Sequence, residues 1–182
     1  MRYCTHYLSH TIPFLWKFHS IHHSARNINS FTTYRLHAFE ILIGTMISVV
    51  PVAIIGGSFE SVMIVKLFDT SWGYVVHTDC RMHIGFLSRI LVTPQYHKIH
   101  HSNSREHFDT NFSSHFVIWD NIFGTRYTGN KAPSSYGISN FPVEPRNAGL
   151  LTAIKYWALQ FVFPIKSIIP AKYLKRSAES KL

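Results

Sequence analysis

HYLSHTIPFLWKFHSIHH, residues 6–23, gathers five histidines around a single proline. His6 and His10 form an HxxxH pair before Pro13, and His19, His22 and His23 form an HxxHH set after it. Proline has no N–H to give to a preceding turn, so Pro13 predicts a short first helix and a second from Phe14 to about Ser24. Positions i, i+3 and i+4 share one face of a helix, so each set can aim its imidazoles at one point. Downstream, His97, His100 and His101 repeat the HxxHH spacing behind Thr93-Pro94, a helix start with threonine as N-cap and proline at the first helical position. The reading is an all-α fold built around a histidine-rich metal site.

Thirteen histidines outnumber the nine carboxylates. Scattered at random, they would give about 0.06 HxxHH motifs, and two such motifs with a probability of ~0.002. Composition alone therefore does not account for the pattern. With His77 at the end of an apolar segment, the candidate ligands are His6, His10, His19, His22, His23, His77, His97, His100 and His101. That set exceeds the capacity of one ion, and two ions about 3.5–4 Å apart could share it. Imidazole suits Zn, Fe, Cu and Ni through a neutral nitrogen, the other ring nitrogen being held by an acceptor. Neither HExxH nor ExxH occurs, which argues against a hydrolytic zinc helix and a carboxylate-bridged bundle. An oxygen-activating pair of iron ions is favoured, with Zn as a substitute. A zinc-dependent lipid hydrolase and a non-catalytic membrane metal-binding protein are the alternatives. His83 reads as a surface histidine and His37 as a supporting or interfacial one; His107 and His115 have no assigned role.

The chain is 46% hydrophobic and 15% aromatic but only 15% charged, with a net charge of +9. Such a balance suits a membrane-associated protein facing anionic headgroups. Cys4 and Cys80 are too few for a disulfide framework and form no CxxC pair. No nucleic-acid-binding module is recognisable, so nucleic acid is not an expected partner. Residues 1–182 read as one domain, with a membrane hairpin at about 39–76 between histidine clusters at 6–23 and 77–101. Ile41–Gly57 is uncharged and reads as a membrane span, Ser61–Val76 is interrupted by Lys66 and Asp69, and the turn falls near Gly56-Gly57-Ser58. Two crossings would return the chain to one side and bring the clusters together. Lys17, Arg26, Arg35, Arg81, Arg89, Lys98, Arg105 and Arg126 lie on that side, which the positive-inside rule makes cytoplasmic. Leu150–Ile169 reads as an interfacial helix, and Lys172, Lys175, Arg176 and Lys181 as a headgroup-binding tail.

These motifs, with YRLHAFE at 34–40, HTD at 77–79, LVTPQYHKIHH at 91–101 and NFSSHFVIWDNIFGT at 111–125, resemble the fatty acid hydroxylase superfamily, also called the sterol desaturase family. The resemblance covers residues 3 to about 127. It implies an integral membrane helical protein with a cytoplasmic-side, histidine-bound di-iron centre that uses O2 to hydroxylate or desaturate a fatty acyl or sterol-like lipid. The nine histidines named above match the family's metal-binding positions. Relatives carry apolar helices ahead of the first histidine motif, and this chain is expected to lack them. No GxGxxG or CxxCH motif occurs, so electrons are expected from an external donor, a small cytochrome or a ferredoxin with its reductase.

Overall fold

In the computed structural model, residues 2–138, 141–142 and 149–168 are described. The chain divides into two compact units, residues 1–138 and 139–182. Among the described residues every regular element is helical, and the only pairing of extended backbone is in isolated bridges, Leu91 with Phe116 and Ser102 with Tyr136. The first unit contains α1 (Arg2–Thr11), α2 (Pro13–His23), α3 (Ala38–Ile54), α4 (Phe59–Val76), α5 (Pro94–His100) and α6 (Ile118–Ile122). Short 3-10 turns at Ser30–Tyr34, Gly85–Arg89 and Arg105–His107 join them.

Pro13 divides α1 from α2 as the sequence predicts, sitting at the first position of α2. Asn29 caps the 3-10 turn at Ser30–Tyr34 by accepting from Phe31 N, and Thr32 Oγ1 accepts from Asn29 N. His37 then caps α3, its Nδ1 accepting from Phe39 N at 3.0 Å. The chain reverses after Ile54 through Gly56, whose φ of +79° lies in the left-handed region open to glycine. Ser58 caps α4 by accepting from Ser61 N. Thr93 does the same for α5, accepting from Tyr96 N at 3.3 Å.

Where a membrane hairpin is expected, α3 and α4 follow one another across the turn at Gly56. No described helix, however, is long and apolar enough to cross a membrane. The 17 residues of α3 extend about 25 Å at 1.5 Å per residue, short of a hydrocarbon layer of about 30 Å. α4 is interrupted by Glu60, Lys66 and Asp69. The span expected over Ile41–Gly57 is not met by a helix of full crossing length.

At the far end of the hairpin, Val76, Val92 and Val117 form a small apolar core, with Trp72 and Tyr96 packed against it. α4 passes close to the 3-10 turn at Ser30–Tyr34, where a Cβ on Gly73 would lie 2.8 Å from Thr33 Cγ2. That approach brings His77, at the end of α4, under Thr33. The buried side chains of this unit are mostly polar, and seven of the nine candidate histidines are among them: His19, His22, His23, His77, His97, His100 and His101.

In the second unit a helix, α7 (Leu150–Ile168), covers the stretch expected to be helical, with Pro164 inside it and Leu150, Leu151, Ile154 and Trp157 exposed. Phe141 packs on Phe163 at a ring-centroid distance of 4.6 Å. The basic tail at Lys172, Lys175, Arg176 and Lys181 lies outside the described residues.

Candidate metal centre

Three helices, α1, α2 and α5, and the end of a fourth, α4, deliver the nine histidines to two groups. His6, His10, His19, His23 and His100 form one, and His22, His77, His97 and His101 the other. Within each group one ring nitrogen per residue lies within 4.8 Å of all the others. The i, i+3, i+4 spacing divides rather than collects: α2 sends His19 and His23 to the first group and His22 to the second. α5 sends His100 to the first and His97 to the second, together with His101 at its cap.

The second group is the tighter. His77 Nε2 lies 3.2 Å from His22 Nε2, 3.2 Å from His101 Nε2 and 3.0 Å from His97 Nε2. His101 and His97 Nε2 are 3.1 Å apart. His77 Nδ1 donates to Gly73 O at 2.8 Å, so in the neutral ring its Nε2 has only a lone pair to offer. One ring nitrogen facing three others is not explained by hydrogen bonding alone. Nitrogens bound to one ion at about 2.0–2.1 Å would lie about 2.9–3.4 Å from each other, and the observed separations fall in that interval.

In the first group the outer nitrogens are held and the inner ones are bare. His6 Nδ1 donates to Phe112 O at 2.7 Å and His100 Nδ1 to Thr110 O at 2.8 Å. His19 Nδ1 faces Glu40 Oε1 at 2.5 Å. The Nε2 atoms of His6, His19 and His100 are buried with no hydrogen-bond partner. A carbonyl or carboxylate on the outer nitrogen fixes the tautomer and aims the other lone pair inward, as metal-binding imidazoles require. His10 and His23 meet through Nε2 at 3.1 Å, and Asp109 lies 3.6 Å from His10 Nδ1.

The electrostatics keep eight of the nine rings in the ligating form. Burial, reinforced by neighbouring histidines, lowers the pKa of His6 to about 3, and burial lowers that of His77 to about 4. Burial followed by neighbouring imidazoles also depresses His10, His22, His23, His97, His100 and His101. Desolvation disfavours the imidazolium, and the clustered rings would repel each other if charged. Neutral nitrogens with inward lone pairs fit a first-row transition metal ion in each group.

The other histidines take separate places. His83 is exposed, and His37 serves as the cap of α3. His107 is fully buried, with Nε2 donating to Lys131 O and the ring edge-on to Tyr127. His115 stacks on Phe68 and lies 3.2 Å from Asp69. The sequence assigns no role to three acidic residues of the site, Glu40 beneath His19, Asp109 beside His10 and Asp120 behind Phe112. Nothing in the spacing links Glu40 to His19. Asp120 had a signal: it is a lone carboxylate within the apolar run FVIWDNIF, and burial there requires partners.

A model of the family described as "Fatty acid hydroxylase" matches residues 1–125. The chain is 30% identical over 136 residues to ornithine lipid hydroxylase OlsE of Rhizobium tropici, covering 75% of this chain and 41% of that protein. It is 31% identical over 139 residues to human alkylglycerol monooxygenase, covering 76% of this chain and 30% of the relative. Human cholesterol 25-hydroxylase is 24% identical over 136 residues, covering 69% and 46% respectively. The chain thus spans less than half the length of these relatives. No solved structure matches it.

Proposed function

Because the chain belongs to the fatty acid hydroxylase family, we propose that it is a membrane-bound di-iron oxidoreductase that hydroxylates or desaturates a lipid C–H bond with O2. The observation that carries this reading is the pair of buried groups of five and four histidines. When bound, two iron ions would supply the oxygen activation and one-electron chemistry for which amino-acid side chains have no equivalent. Overall, hydroxylation sends one oxygen atom into the C–H bond and the other into water, while desaturation sends both into water. Either outcome consumes an electron pair from the external donor. The names of the relatives, which specify an ornithine lipid, an alkylglycerol and cholesterol, support a lipid substrate.

The chain's own residues would bind, orient and shield. Phe112 O, Thr110 O and Glu40 fix the rings of His6, His100 and His19, and Gly73 O fixes that of His77. Burial of the rings limits the access of water, which would otherwise quench a strong oxidant.

The hairpin supports placement in a bilayer. Ile41, Leu42, Met46, Ile47, Val50 and Ile54 on α3 are exposed, as are Phe59, Met63, Ile64, Val65, Leu67 and Phe68 on α4. Two apolar arms with outward-facing large side chains call for a lipid solvent more than an aqueous one. Two of the charges within α4 are paired: Arg2 donates to Asp69 Oδ2 at 2.6 and 2.8 Å, and Lys66 Nζ lies 3.5 Å from Thr45 Oγ1. In the proposed topology the arms enter the bilayer together and the basic histidine end faces the cytoplasm.

Elemental analysis of the detergent-purified chain tests the metal reading, beside a variant carrying His100→Ala and His101→Ala, one histidine from each group. About two irons per chain, lost in the variant, are expected. Zinc alone after anaerobic iron loading would favour the hydrolytic alternative, and a chain that takes up no metal would overturn the reading. The reaction is then read from labelled O2, with the label expected in an oxidised lipid or in water.

A further inference from the structure

Asp120, in the five-residue helix α6, is fully buried and accepts four hydrogen bonds. Its Oδ1 takes Phe112 N at 2.8 Å and the Thr125 hydroxyl at 2.7 Å. Its Oδ2 takes Ser113 N at 3.0 Å and the Tyr96 hydroxyl at 2.8 Å. A buried carboxylate demands this degree of satisfaction, and each lone-pair site has a donor.

The two backbone amides belong to the segment that serves the metal centre. Phe112 O accepts from His6, and Thr110 O accepts from His100. Between them Asn111 is held at a positive φ of 57°, where a non-glycine residue needs outside support. That support comes from Asn111 Nδ2 donating to Tyr96 O at 3.1 Å and Tyr127 N donating to Asn111 Oδ1 at 2.8 Å. The Phe112 ring is itself fully buried, with its centroid 5.8, 5.1 and 5.6 Å from those of His6, His10 and His100. Residues 110–113 are thus a backbone clamp on two imidazoles, and Asp120 is the anchor of the clamp.

We propose that Asp120 is a positioning residue for the metal centre, setting the aim of His6 and His100 through the backbone of residues 110–113. It touches neither imidazole. Asparagine in its place keeps the shape but presents an NH2 where one carboxylate oxygen stood, so one of the two amides loses its acceptor and the clamp loosens. The four-histidine group receives no carbonyl from this segment, and the effect falls on the five-histidine group.

The proposal rests on the metal-binding reading, and cobalt separates the two. The full chain in detergent is stripped of metal and titrated with Co(II), following the ligand-field absorption, with far-ultraviolet circular dichroism of the metal-free protein as the fold control. Asp120→Asn is expected to keep its helical signal, to bind one Co(II) at least about tenfold more weakly, and to show an altered band shape at saturation. Tyr96→Phe removes a donor to Asp120 but leaves both amides in place, and is expected to bind both ions within about twofold of the parent. A wild-type affinity and spectrum in Asp120→Asn would overturn the proposal. So would an equal loss in Tyr96→Phe, or collapse of the helical signal in metal-free Asp120→Asn, which would make Asp120 a support of the whole fold. A parent chain that takes up no Co(II) would overturn the metal-binding reading itself.

Discussion

The two histidine groups share α2 and α5 but are held by different means. In the five-histidine group the outer nitrogens of His6, His19 and His100 each meet an acceptor: two are backbone carbonyls and one is the Glu40 carboxylate. In the four-histidine group only His77 has one, and the outer nitrogens of His22, His97 and His101 are buried without partners. Those rings are held instead by contact with each other and with His77: the His22–His101, His77–His97 and His97–His101 centroids are 4.6, 4.5 and 4.7 Å apart. An outer acceptor raises ligand basicity and fixes the tautomer, whereas packing fixes position alone. The first position should accordingly hold its ion more tightly.

The largest expected effect comes from emptying one position at a time. His22→Ala with His101→Ala removes half of the four-histidine group, and the bound metal should fall from about two ions per chain to about one. His6→Ala with His19→Ala leaves three of the first group's five members, and should also lower the count to about one. Mass spectrometry of the metal retained after dialysis reads both. If either pair empties both positions, the groups are one cooperative unit and the contrast between them fails.

A chelator series on the parent chain should next resolve two phases of metal loss, the faster belonging to the four-histidine position. The first variant above should lack the fast phase and keep the slow one. A single phase would mean that packing holds an ion as firmly as a set of oriented acceptors does.

Much of the site was legible because the chemistry was written in local spacing. HxxxH and HxxHH on helices bounded by Pro13 and Pro94 lead directly to α1, α2 and α5, with the Pro13 break and the Thr93 cap where expected. The turn at Gly56 between two apolar helices was equally readable, since apolar runs and glycine act over short range. What the spacing could not give was the partition. His22 and His23 are neighbours in sequence but serve different groups, because successive residues point about 100° apart around a helix. The supporting acceptors were out of reach for a related reason. Glu40 comes from the next helix, and the carbonyls of Thr110 and Phe112 carry no side-chain signature at all.

Glu40→Gln sharpens the contrast with a smaller perturbation. The amide can still accept from His19 Nδ1 but carries no charge, so the five-histidine position should weaken by about 10–100-fold and the four-histidine position should not change. Competition against a chromophoric chelator measures each. Equal weakening of both positions would show that the Glu40 charge acts across the whole centre rather than through His19.

The smallest effect should come from one of the two helices that serve both groups. α5 contributes His100 to one and His97 to the other, with His101 at its cap, and Thr93 Oγ1 accepts from Tyr96 N at its start. Thr93→Val keeps the shape but removes that acceptor, which should cost about 1 kcal/mol of stability. In a chain of this size that corresponds to a melting temperature lowered by about 2–4 °C. Because the cap acts on the helix and not on one imidazole, any loss of affinity should be shared equally by the two positions. A loss confined to one of them would mean that α5 does not move as a rigid rod, and that His97 and His100 answer to separate constraints although both lie within the same short helix.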